Sequence, residues 1–168
     1  MTSGRLTVRK LVLIAVMTAV LEAAKFTLNS IANVELVSLL LIVFTRHFGK
    51  EYTLPAALLF ALLECIWWGF GIWTVTYFYV WPLLVLLTDR IRTDELWVYC
   101  TLSAMFGLFF GALCSLTTLL AAGPAAAFAW WVAGIPYDLV HAGGNLVLCL
   151  LLYRPLTGAL QYVQNGSK

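Results

Sequence analysis

The stretch LVLIAVMTAVLEAAKFTL at residues 11–28 decides the fold. It is apolar, follows a flank carrying Arg5, Arg9 and Lys10, and approaches the roughly 20 residues that cross a hydrocarbon core. It does not read as a cleaved signal peptide, because its apolar run is long and holds Glu22 and Lys25 instead of a small-residue cleavage site. Five further apolar stretches follow outward from it: Val34–Thr45, Tyr52–Trp68, Trp73–Asp89, Leu96–Ala122 and Pro136–Tyr153. The second is short for a straight crossing, and the fifth is long enough to tilt.

The breaks between these stretches alternate in charge. Arg46 and Lys50 follow the second stretch, Arg90 and Arg92 the fourth, and Arg154 and Lys168 the sixth, whereas only Lys25 lies at an odd-numbered turn. Loops rich in Lys and Arg resist translocation and stay in the cytoplasm. The pattern predicts an all-α, polytopic bundle of six transmembrane helices with both termini cytoplasmic, a single domain over residues 1–168.

Composition agrees. Hydrophobic residues make up 62% of the 168 and charged ones 11%, with a mean hydropathy of +0.93, outside the soluble range. No ATPase or other soluble catalytic module is expected on the chain. Cys65, Cys100, Cys114 and Cys149 stand singly, without CxxC or paired His, and read as small buried hydrophobes. The formal charge of +2 gives a basic cytoplasmic face suited to anionic lipid or an acidic partner; nothing calls for nucleic acid.

Polar residues gather in one leaflet. Glu22, Lys25 and Asn29 lie at the outer end of the first span, Asn33 and Glu35 begin the second, and Glu64 ends the third. Asp138, His141 and Asn145 occupy the outer half of the sixth. Ionisable groups in a bilayer face a cavity or one another, so the crowding predicts a polar pocket opening outward. Aromatic rings collect at the same level. Trp67, Trp68, Phe70, Trp73, Tyr77, Phe78, Tyr79 and Trp81 surround one turn; Phe128, Trp130, Trp131 and Tyr137 surround the loop expected after span five. An interfacial belt explains some of them, but the inner side has chiefly Trp97 and Tyr99. Several rings are therefore expected to line a ligand site.

In the sixth span, Asp138, His141 and Asn145 are spaced i, i+3 and i+7 and share one helical face. Pro136 suits a first helical turn, and Gly143 and Gly144 allow close approach. The competing reading of that face is a hydrogen-bond clasp between helices. No metal site is expected from one His and one Asp. Two small-residue stripes, Ala15–Ala19–Ala23 and Gly107–Gly111, permit close helix contact, and packing inside the chain is the first expectation for both.

Together these features resemble the substrate-binding S components of energy-coupling factor (ECF) transporters, the vitamin importers of bacteria. The resemblance spans the chain and rests on the six-span topology, the Ala15-x-x-x-Ala19 stripe, and three stretches: NVELVSLL at 33–40, WWGFGIWTVTYFYVW at 67–81 and AWWVAGIPYDLVHAGGN at 129–145. It implies a multi-pass protein of the bacterial cell membrane that works with a membrane coupling subunit and two cytoplasmic ATPases. It also implies that Ala15, Ala19 and Ala23 dock on the coupling subunit. Substrate would bind from outside under closing lid loops, and the whole component would then topple to carry it inward. No covalent chemistry is implied, and neither a cofactor nor a metal.

Residue reading and resemblance converge on one substrate site: Asn33, Glu35, Glu64, Trp67, Trp73, Tyr77, Trp131, Tyr137, Asp138, His141 and Asn145. Outer carboxylates outnumber Lys25, so a polyanionic substrate is disfavoured, and no Arg is there to grip a folate- or biotin-like acid. Two substrate classes remain, a large amide-rich molecule such as cobalamin and a small heteroaromatic of pyridoxine or hydroxymethylpyrimidine type. The small residues around the mouth tilt the expectation to cobalamin. Outside transport, the alternative is a membrane scaffold or interaction protein. A channel would need polar residues at every depth, and a hydrolase lacks a nucleophile beside His141.

Overall fold

A computed structural model describes residues 7–28 and 33–166; Arg5, Asn29 and Lys168 lie outside the described residues. The described residues form six helices and no strand: α1 (Val8–Leu28), α2 (Val37–Phe48), α3 (Lys50–Trp68), α4 (Ile72–Arg90), α5 (Leu96–Ala122) and α6 (Pro124–Gly166). All but α2 are long and apolar enough to cross a membrane. Their outer faces carry exposed Val12, Leu58, Leu62, Leu87, Phe109 and Leu151. So much apolar surface is the mark of a bundle immersed in hydrocarbon rather than water.

The short helix α2 sits at the centre. Every residue from Val37 to Thr45 is buried, and α2 touches each of the other five helices. Twelve residues rise only about 18 Å, against a hydrocarbon core of about 30 Å. Protein rather than lipid surrounds α2, so bilayer thickness does not set its length. The shortness legible in the sequence thus has a structural cause.

The largest departure from expectation is α6. The sequence reading starts its span at Pro136 after a loop, yet the helix begins at Pro124 and runs 43 residues with Pro136 and Pro155 inside it. The break falls earlier because Gly123 ends α5 with φ of 84°, a left-handed conformation that favours glycine. Pro124 then takes the first helical position, where no backbone donor is lost, and Ala125–Ala127 propagate the helix. The expected lid loop after span five is therefore helix.

Helices α5 and α6 form an antiparallel hairpin, the most extensive pairing in the bundle. A Cβ on Gly107 would lie 2.9 Å from the backbone nitrogen of Ala142, so only glycine lets the two backbones approach this closely. The GxxxG pair thus serves packing inside the chain, as expected. Ala15, Ala19 and Ala23 do not: all three are exposed on α1, which corrects the internal-packing expectation for that stripe.

Arg9, near the start of α1, and Asn165, near the end of α6, line one cavity with His47 and Tyr52, so both ends of the described chain lie at one end of the bundle. Lys50 pairs with Asp89 at 2.7 Å and Arg46 with Asp94 at 3.2 Å at this same end. The described residues among those read as outer polar groups lie at the other.

Candidate functional site

At that other end a cavity of about 280 Å³ opens between α1, the segment leading into α2, α4, α5 and α6. One wall is aromatic: Tyr77 and Trp81 from α4, with Phe110 from α5. The spacing of Tyr77 and Trp81 by four residues puts both on one face of α4, and their rings meet edge-on at 5.4 Å. Behind them Phe60 stacks on Tyr77 at 6.2 Å, which fixes the plane of that ring. Trp81 is buried and its indole N–H finds no acceptor among the described residues, a costly state for a buried donor unless something bound supplies one.

The opposite wall is polar and built around the start of α2. Asn33 turns the chain with φ of 56°, a left-handed conformation that Asn tolerates better than most side chains. Two residues on, Glu35 accepts the Ser38 backbone N–H at 2.9 and 3.2 Å, placing a carboxylate at the positive end of α2. Its Oε1 also lies 3.2 Å from Nε2 of His141 on α6, while Phe110 packs edge-on against that imidazole at 4.9 Å.

Lys25 closes the third side. Its Nζ donates to Tyr77 Oη at 2.8 Å and pairs with Glu64 Oε2 at 3.2 Å. Glu64 is fully buried, and the contact with Lys25 keeps it from being an isolated charge in the bundle. Glu22 lies one helical turn before Lys25, buried and within electrostatic range of Glu64 and Lys25. Lys25 is thus set against the three carboxylates of Glu22, Glu35 and Glu64, and the site offers ring faces, a free indole donor and paired polar groups. It has no concentrated positive field for a polyanion.

Of the eleven expected substrate residues, the cavity brings together Asn33, Glu35, Tyr77 and His141. Glu64 stands behind it, reaching it through Lys25. Trp73 packs edge-on against Tyr77 and, with Trp130, lines a neighbouring space of about 470 Å³ that shares Tyr77 and Phe110. Trp67 is 64% exposed against Phe26, and Tyr137 is 60% exposed. Trp131 meets Phe128.

The Asp138–His141–Asn145 face splits between two duties. Asp138 accepts the Gly111 backbone N–H at 2.9 Å and Asn145 donates to the Ser103 carbonyl at 3.1 Å, both buried, so they clasp α6 to α5. Only His141 of the three reaches the cavity. Lys25, Trp81 and Phe110 line it without having been singled out as binding residues. Lys25 carried a signal, being the one cation at an odd-numbered turn, and Trp81 stood among the aromatic rings read at the outer level; Phe110 carried none.

Among the described residues no three or more His, Cys, Asp and Glu side chains gather as a metal site. No protein-family model, curated protein or solved structure matches the chain.

Proposed function

We propose that this chain is the membrane-embedded S component of an ECF-type importer, capturing a water-soluble vitamin from outside a bacterial cell. The basic end, with both limits of the described chain, faces the cytoplasm, and the cavity walled by Tyr77, Trp81, Phe110, Glu35 and His141 opens outward. That cavity is the observation that carries the reading: it pairs flat apolar faces with a few fixed polar groups, the composition of a small-molecule site. The exposed Ala15–Ala19–Ala23 stripe supports docking to a membrane coupling subunit that is driven by two ATPases.

Volume changes the choice of substrate. About 280 Å³ lies at the lower bound of pockets for small molecules, roughly 300 Å³. By itself it suits one substituted or fused heteroaromatic ring, whereas a corrin macrocycle would need the adjoining space of about 470 Å³ as well. We therefore favour a neutral or zwitterionic heteroaromatic of pyridoxine or hydroxymethylpyrimidine type over cobalamin. A ring nitrogen or carbonyl would accept from Trp81, and an amino or hydroxyl group would donate to Glu35.

The test is a thermal-shift screen of the purified chain against pyridoxine, hydroxymethylpyrimidine and cobalamin. A ligand at 100 times its dissociation constant adds about 2.7 kcal/mol of stability, which moves the midpoint by several degrees. A shift with either small ring is expected. A shift with cobalamin alone would overturn the substrate assignment, and no shift across a full vitamin panel would favour a scaffold.

A further inference from the structure

A second site lies at the basic end, independent of the substrate reading. Leu13 and Val16 of α1 face Leu156 and Leu160 of α6 across a groove floored by Val43 and Phe44 of α2. Among the described residues α1 and α6 do not pack on each other, so the groove is open along the bundle's side. It holds about 320 Å³ and every side chain lining it is apolar. Such a space does not hold ordered water, and in a bilayer it must be filled by hydrocarbon.

Towards the chain ends the groove runs into a wider space of about 690 Å³, the two sharing Leu13, Phe48 and Leu160. Here the lining becomes Arg9, His47, Tyr52, Gln164 and Asn165, with no carboxylate in it among the described residues. Arg9 is exposed, and neighbouring Lys10 sits over the Tyr52 ring at 5.1 Å. A dry apolar slot topped by guanidinium and amide donors has the two-part chemistry of a phospholipid. Basic pockets between transmembrane helices hold anionic headgroups in this way, and Arg matches phosphate oxygens in geometry as well as charge. A partner helix is the poorer occupant, because an apolar helix offers no acceptor to Arg9, Gln164 and Asn165 at the groove's end, whereas a phosphate does.

We propose that the groove between α1 and α6 binds one anionic phospholipid, with an acyl chain along α2 and the phosphate at Arg9. Native mass spectrometry of the full chain, reconstituted with equal phosphatidylglycerol and phosphatidylcholine, tests it. One phosphatidylglycerol should be retained in preference to phosphatidylcholine, and Arg9→Gln should reduce that preference about five-fold. Ala159→Trp, whose indole would fill the groove, should abolish retention of both lipids at an unchanged melting midpoint. Equal retention of the two lipids, an unaltered preference in Arg9→Gln, or a dimer that excludes both would overturn the proposal. Arg9 lies on the surface, so its variant remains informative should the groove-filling one fail to fold.

Discussion

Glu35 joins three parts of the molecule through one carboxylate: the start of α2, the His141 imidazole of α6 and the cavity between them. His141 and Asn145 should separate cleanly. Asn145 is buried and bonded to the Ser103 carbonyl, so Asn145→Ala should cost about 1–3 kcal/mol of stability with little change in ligand affinity per folded molecule. His141→Ala should weaken ligand binding roughly ten-fold or more, since a site group left unmatched costs a similar amount, with the smaller loss of stability. The reverse order in paired melting and binding measurements would return His141 to the clasp. The spacing of Asp138, His141 and Asn145 revealed their common face, because helical period is a property of the chain. It could not reveal that this face meets α5 along most of its length and opens on a cavity only at His141, because that depends on where another helix lies.

At the scale of elements, five of the six helices were legible because long apolar runs bounded by charge leave few alternatives in a bilayer. The extent of α6 was not. Pro136 resembles a helix start, but a proline inside a membrane helix is tolerated where neighbouring helices and local adjustment re-satisfy the carbonyl it frees. Gly123–Pro124 was the stronger boundary signal. The α5–α6 hairpin makes a prediction of its own. The nearest obstacle to a Cβ at Gly107 is the backbone of His141 and Ala142, which cannot swing aside as a side chain would. Gly107→Val should therefore push the helices apart, destabilise the chain by about 1–3 kcal/mol, and lower ligand affinity because His141 moves with α6. A variant of parental stability and affinity would show that the hairpin relaxes without disturbing the cavity. The exposed alanine stripe of α1 behaves differently. Ala15→Trp and Ala19→Trp add bulk where nothing within the chain opposes it, so melting and ligand binding should be preserved. Assembly with the proposed coupling subunit, read by co-purification, should be lost, and an intact complex with both substitutions would exclude the stripe as the docking face.

At the scale of the whole molecule, charge is divided between two ends that do different work. Arg9, Lys10, Arg46, Lys50, Arg90, Arg92 and Arg154 belong to the end that holds both limits of the described chain, and part of this charge is tied locally through Asp89 and Asp94. The far end has Lys25, committed to Glu64 and Tyr77. With so little free positive charge there, translocation of the turns near Phe70 and Gly123 meets no electrostatic resistance, whereas the opposite orientation would carry most of the cations across the membrane. In the proposed orientation the cavity lies on the external side and Arg9 at the level of cytoplasmic headgroups, so one measurement of orientation bears on both. Phe70, 80% exposed between α3 and α4, and Asn165, exposed near the end of α6, are suitable reporters. Cysteine placed at Phe70 should react with a membrane-impermeant maleimide in intact cells. Cysteine at Asn165 should react only after the membrane is opened, each signal being taken over that of the parent chain with its mostly buried thiols. Labelling of the Asn165 position from outside would invert the bundle, turn the cavity toward the cytoplasm, and remove the basis for reading this protein as an importer's receptor.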